Sequence, residues 1–140
     1  MTQLLELRAV IEAAPAAVAD ILLDVRPGGR SPLAADGDIE DLEPADEFVV
    51  VRDGSRITVT VDRTARSVTQ QGEWWYRGVT SVEPDPRGSR VVHRVFNVAP
   101  AHGWAVRFVS RGPLIAAPRK FAEQIHHLAA ALGTPGWVID

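Results

Sequence analysis

Residues 78–95 read GVTSVEPDPRGSRVVHRV, two runs of strand-favouring residues on either side of Pro84-Asp85-Pro86-Arg87-Gly88. Such runs read as strands, and the break reads as a turn because Pro presets one backbone angle while Gly frees another. Upstream, residues 66–71 and 73–84 continue the β pattern, and EFVVVRD and SRITVTVDR flank Gly54 as a hairpin. In the second of these runs Ile57, Val59 and Val61 alternate with Arg56, Thr58, Thr60 and Asp62, the period of a half-buried strand. An antiparallel meander is predicted. Residues 26–46 hold three Pro, three Gly and many acids without periodicity, which predicts a long loop with at most one turn of helix. Before it, Val18, Ile21, Leu22 and Val25 recur at helical spacing after Pro15, and Pro27 ends that short helix by Arg26. Leu5, Leu7, Ala9 and Ile11 alternate with Glu6, Arg8, Val10 and Glu12, so the first element is a strand. Downstream, WAVRFVS fits either a last strand or the opening of a helix, and Gly112-Pro113 interrupts either one. From Pro118 onward Phe121, Ile125, Leu128 and Leu132 share one helical face, Gly133 stands at the cap position, and the chain is predicted to close on that helix.

The 140 residues suit one domain spanning 1–140, large enough to bury roughly two thirds of the unfolded surface. No apolar run approaches the roughly 20 residues of a membrane-spanning helix, and MTQLLELRAVIEAAP mixes acids with apolar residues unlike a secretion signal. A cytoplasmic location is the expectation. Without cysteine there is no disulfide framework, thiolate nucleophile or cysteine-held metal. Residues 1–70 carry seven Arg against thirteen acids and residues 71–140 eight Lys and Arg against five, with scattered arginines and no concentrated basic patch, so nucleic acid is excluded as a partner.

The order strand, short helix, antiparallel meander and long amphipathic C-terminal helix resembles the START-like, or helix-grip (SRPBCC), superfamily, which includes polyketide cyclases and aromatases, Bet v 1-like lipid binders and coenzyme Q-binding proteins. The resemblance rests on VIEAAPAAVADILLDV at residues 10–25, on the 78–95 stretch, and on KFAEQIHHLAAAL at residues 120–132. It implies an α+β fold in which a curved antiparallel sheet wraps the C-terminal helix and leaves a cavity for an apolar or aromatic small molecule. It does not imply one activity, because these motifs are structural. The chain departs from the usual pattern at 26–46, where relatives often have a second short helix.

GEWWYRGV, residues 72–79, supplies the first ligand-binding candidates: Trp74, Tyr76 and Arg77. Counting back from Val82 sends Trp74 and Tyr76 inward, whereas counting from Val79 sends Trp75 and Arg77 inward; a regular strand permits only one of these. The plain alternative for the rings is core packing, since aromatic side chains favour strands and burial for that reason alone. Tyr76 stands apart because a phenolic hydroxyl in an apolar cavity needs a partner, which a ligand could be. His93 and Asn97 share a face with Val91 and Val95; turned inward they would pair with each other or with a ligand, and turned outward they are ordinary solvated residues. Under the cyclase reading, His93 or Tyr76 would move a proton and Arg77 would hold an enolate-like oxygen.

Other motifs are weak. His126 and His127 are neighbours on a helix, about 100° apart, and cannot readily chelate one metal. Asp36, Asp38, Glu40 and Glu47 match four positions of a calcium-loop template, but Asp41 replaces its obligatory Gly and Pro44 intrudes. No G-x-S-x-G elbow or phosphate-binding glycine loop occurs. The reading adopted is a carrier or sensor of a hydrophobic small molecule, lipid or polyketide-like, without metal or cofactor; a homodimer is left open. The alternatives are a polyketide cyclase or aromatase and a cavity-less protein-interaction module.

Overall fold

The computed structural model describes residues 1–42 and 46–140. Strand β1 (Thr2–Ile11) leads into helix α1 (Pro15–Leu22), which begins on Pro15 because the first turn needs no N–H from that residue. Strands β2 (Asp38–Asp41), β3 (Glu47–Arg52), β4 (Ser55–Asp62), β5 (Ser67–Gln71), β6 (Tyr76–Asp85) and β7 (Gly88–Asn97) follow. A short 3-10 turn at Gly103–Ala105, helix α2 (Val106–Val109), helix α3 (Arg111–Leu132) and strand β8 (Gly136–Ile139) complete the chain. The eight strands form one curved antiparallel sheet in the order β2-β3-β4-β5-β6-β7-β1-β8, and α1 and α3 pack on its concave face. The α+β architecture expected from the sequence is the one observed.

One face of the sheet supplies the core. Ala9 and Ile11 of β1, Val91 of β7, Val82 of β6, Val68 of β5 and Val61 of β4 meet Val18 and Leu22 of α1 and Phe121, Ile125 and Leu128 of α3, all buried. The register fixes that face: Ala9 pairs with Val91, Val91 with Val82, and Val61 with Val68. The β6–β7 turn is held by Asp85, whose carboxylate accepts from the Arg87 backbone N–H at 2.9 Å and from the guanidinium groups of Arg87 and Arg90. These donors, Arg87 first, hold the Asp85 carboxyl well below its ordinary range.

Three expectations are corrected. The 26–46 loop contains strand β2, whose Ile39 sits opposite Val50 of β3; a single apolar residue among acids is too little periodicity to read, yet edge pairing suffices to order it. Glu43, Pro44 and Ala45, including the Pro44 of the calcium-loop template, lie outside the described residues. Of the two readings of WAVRFVS the helical one is observed, but α3 starts at Arg111, well before Pro118: Pro113 falls in the first turn, where a missing N–H costs nothing, and Pro118 sits inside the helix. Finally, the chain ends on a strand. Gly133 takes the left-handed conformation (φ 65°) that caps α3, as expected, but it also turns the chain so that β8 pairs with β1.

Candidate functional site

The first turns of α3 do not reach the sheet. Between them and the concave face lies a cavity of about 580 Å³, within the usual range for small-molecule sites. Its floor is Val50, Val59 and Val95, its roof Leu114, Ala117 and Phe121, and the polar side chains that line it from the sheet include Ser55, Gln70, Tyr76 and His93. Asp36, Arg52 and Lys120 also border it, with Arg52 paired to Asp36 at 3.3 Å.

His93 reaches the cavity because residues of one parity in β7 face inward with Val91 and Val95. It is 8% exposed, its Nδ1 lies 2.9 Å from Thr80 Oγ1 in a hydrogen bond, and its ring stacks on Phe121 at 6.2 Å between centroids. Thr80 stands directly opposite it on β6. Burial lowers the pKa of the imidazole, which favours the neutral ring. With Nδ1 engaged by Thr80, and no bond to Nε2 among the described residues, the second ring nitrogen is left for a guest.

Tyr76 opens β6 and faces inward with Gly78, Thr80 and Val82. Its ring lies over Gly78, where a side-chain carbon would come within 2.5 Å of the hydroxyl oxygen. Trp75 packs edge-on against it, with ring centroids 5.4 Å apart and planes 84° to each other. Burial raises the phenol pKa, and no hydrogen bond to its oxygen is found among the described residues. A polar tip thus stands in a mostly apolar chamber.

The structure brings Tyr76 and His93 together and places the other candidates elsewhere. Trp74 precedes the strand and is half exposed; its indole N–H donates to Ala101 O at 3.0 Å. Arg77 lies on the convex side of β6 and donates to Gln71 Oε1 at 2.9 Å. Asn97 shares the inward parity of His93 but sits at the strand end, where its amide donates to Gly103 O at 3.3 Å and its oxygen accepts from the Ala99 N–H at 3.0 Å. Neither face count holds in full: Tyr76 is inward as the count from Val82 has it, and Trp75 lines the cavity as the count from Val79 has it. The strand starts only at Tyr76, so alternation does not govern Trp75, and both neighbours line the same cavity. Thr80 and Gln70 were also missed. The signal for Thr80 was present, since it lies two residues from Val82 on the inward face.

His127 donates from Nε2 to Arg30 O at 3.1 Å, which ties α3 to the loop after α1. Among the described residues no group of three or more His, Asp or Glu is placed to hold a metal ion, and no helix is long and apolar enough to cross a membrane.

No protein-family profile matches the sequence, and no curated protein matches it. Solved structures share its fold. Protein CV1439 from Chromobacterium violaceum aligns over 93% of this chain and 96% of its own at 14% identity, with a TM-score of 0.52. Protein BH1534 from Bacillus halodurans aligns over 93% of this chain and 98% of its own at 12% identity, also with a TM-score of 0.52. Ara h 8.0201 aligns over 69% of this chain and 79% of its own at 15% identity; its TM-score of 0.41 is too low to argue from. Likeness at this level concerns fold alone, and at that coarse level the chain is a sheet gripping a helix, the helix-grip architecture.

Proposed function

We propose that this is a START-like carrier or sensor that holds an apolar or aromatic small molecule, bearing at least one hydrogen-bonding group, between the sheet and α3. The observation that supports this reading most is the cavity itself. A chain with four Trp and four Phe has bulk enough to fill such a space, yet about 580 Å³ stays open beside Gln70, Tyr76 and His93. A cavity-less interaction module would have packed its rings there. The cyclase alternative loses one of its parts, because Arg77 is on the opposite side of the sheet from any guest. Tyr76 and neutral His93 remain as two groups able to hydrogen-bond a guest, which serves recognition without requiring a reaction.

Native mass spectrometry of freshly purified protein tests the reading: a retained small molecule is the expected result. Its dissociation constant should rise in Tyr76→Phe by about two- to tenfold, the loss of one ordinary hydrogen bond, and should rise further in His93→Ala, with circular dichroism unchanged in both. Protein that retains nothing and takes up no anilinonaphthalene sulfonate would refute it.

A further inference from the structure

From 98 to 122 the chain contains Arg107, Arg111, Arg119 and Lys120 and not one acid, and of these Arg119 pairs with Glu123 just beyond at 3.5 Å. The same segment carries the most exposed of the large apolar side chains beyond residue 100: Trp104 is 72% exposed, Phe108 63%, Val109 48% and Ile115 72%. They lie together. A surface groove of about 760 Å³ runs along α2 and the start of α3, bordered by Leu4, Asn97, Trp104, Val106, Arg107 and Ile115 among others. Leu4 joins it because a register irregularity between Gln3 and Leu5 leaves that residue outside the β1–β7 pairing. Within α2, the Arg107 guanidinium stacks over the Phe108 ring at 4.8 Å, so cation and ring are presented side by side.

Exposed rings cost solubility, and a run of cations without acids repels its own kind. A second copy is a poor occupant, because a two-fold pair through this face would set Arg107 and Arg111 against the same residues of the partner. An anionic bilayer surface answers both features. Trp and Phe settle at the headgroup level, and each nearby Lys or Arg gains from the negative surface potential. The geometry points to this face, the 3-10 turn with α2 and the first turns of α3, as a docking surface for anionic lipid membranes. Leu114 borders both this groove and the inner cavity, so a docked bilayer would lie against the cavity wall.

The test is co-sedimentation of the full chain with vesicles of phosphatidylcholine alone and of roughly seven parts phosphatidylcholine to three parts phosphatidylglycerol, at low and physiological salt. Wild type is expected to pellet with the anionic vesicles only, less so as salt rises. Arg107→Gln with Arg111→Gln should weaken that binding about thirtyfold, from about 1 kcal/mol per cation. Trp104→Ser with Phe108→Ser should weaken it at least tenfold, by the roughly 25 cal/mol per Å² of apolar area no longer buried. All four positions are exposed, so thermal midpoints should hold. Equal pelleting with both vesicle types, no pelleting, or either double variant binding like wild type would overturn the assignment. So would a dimer in sedimentation velocity that Trp104→Ser with Phe108→Ser dissolves. Pelleting requires no guest in the cavity, so this experiment succeeds or fails apart from the carrier reading.

Discussion

At position 78 a side-chain carbon would stand 2.5 Å from the Tyr76 hydroxyl oxygen and about 3 Å from two ring carbons. The glycine is what allows the ring to fold along its own strand and present its oxygen to the cavity. Gly78→Ala is therefore expected to cost about 1–3 kcal/mol in urea unfolding, the usual cost of overpacking, because ring or strand must move. In a Tyr76→Ala background the same change should cost much less, and an unchanged cost there would separate Gly78 from the ring. Little of this was legible in the sequence. Composition marked Trp74, Trp75 and Tyr76 as unusual, but their directions depend on where the strand begins, and no local propensity fixes that boundary to one residue. His93 was legible as a polar residue among valines; its partner Thr80 became visible only with the β6–β7 register.

Helix α3 is one element with two duties. After Pro118 it buries Phe121, Ile125, Leu128 and Ala129 against the sheet and α1; before Pro118 it buries none of its side chains fully and roofs the cavity. Pro118 lacks the N–H that would have bonded the Leu114 carbonyl, which weakens the joint between the two parts. Amide hydrogen exchange should accordingly be fast for residues 111–117 and slow for 121–132. Uniform protection along the helix would show that the roof is as firmly held as the rest. A well-packed half announces itself by apolar spacing, which is why Phe121 to Leu132 could be read as helix. The roofing half has no such stripe, because a helix over a void has nothing to bury, and Gly112 and Pro113 then dominate the reading. Strand β8 was missed for a related reason: GWVI is too short to show a period and is ordered by its pairing with β1.

For the whole molecule, stability should carry the mark of the buried imidazole. His93 titrates below its ordinary value of 6.5 when folded, so below that value the unfolded chain binds more protons than the native one. Stability is then unaffected by this group at neutral pH and falls as pH drops from about 6.5 toward the lowered native value, no more steeply than about 1.4 kcal/mol per pH unit for one proton. Thermal melts between about pH 7.5 and about pH 5.5 should show the fall, and His93→Gln should flatten it. A fall of equal size in that variant would assign it elsewhere. Asp85 acts in a separate window: its folded value is depressed, so its contribution is present above its ordinary 3.8 and lost only as pH drops below that. The overall architecture was the most legible level of all, because alternation in β1 and β4, the Pro-Gly turn at 84–88 and the apolar face of residues 121–132 agree with one another and with few other folds.

The place of β1 in the sheet has a temporal meaning. Its two neighbours are residues 88–97 and 136–139, so during synthesis the strand has no partner in this sheet until residue 88 has followed it, and no second one until residue 136 has. Until then the strand must remain unpaired or be sheltered, and a nascent chain halted before residue 136 leaves one edge of β1 open to foreign backbones.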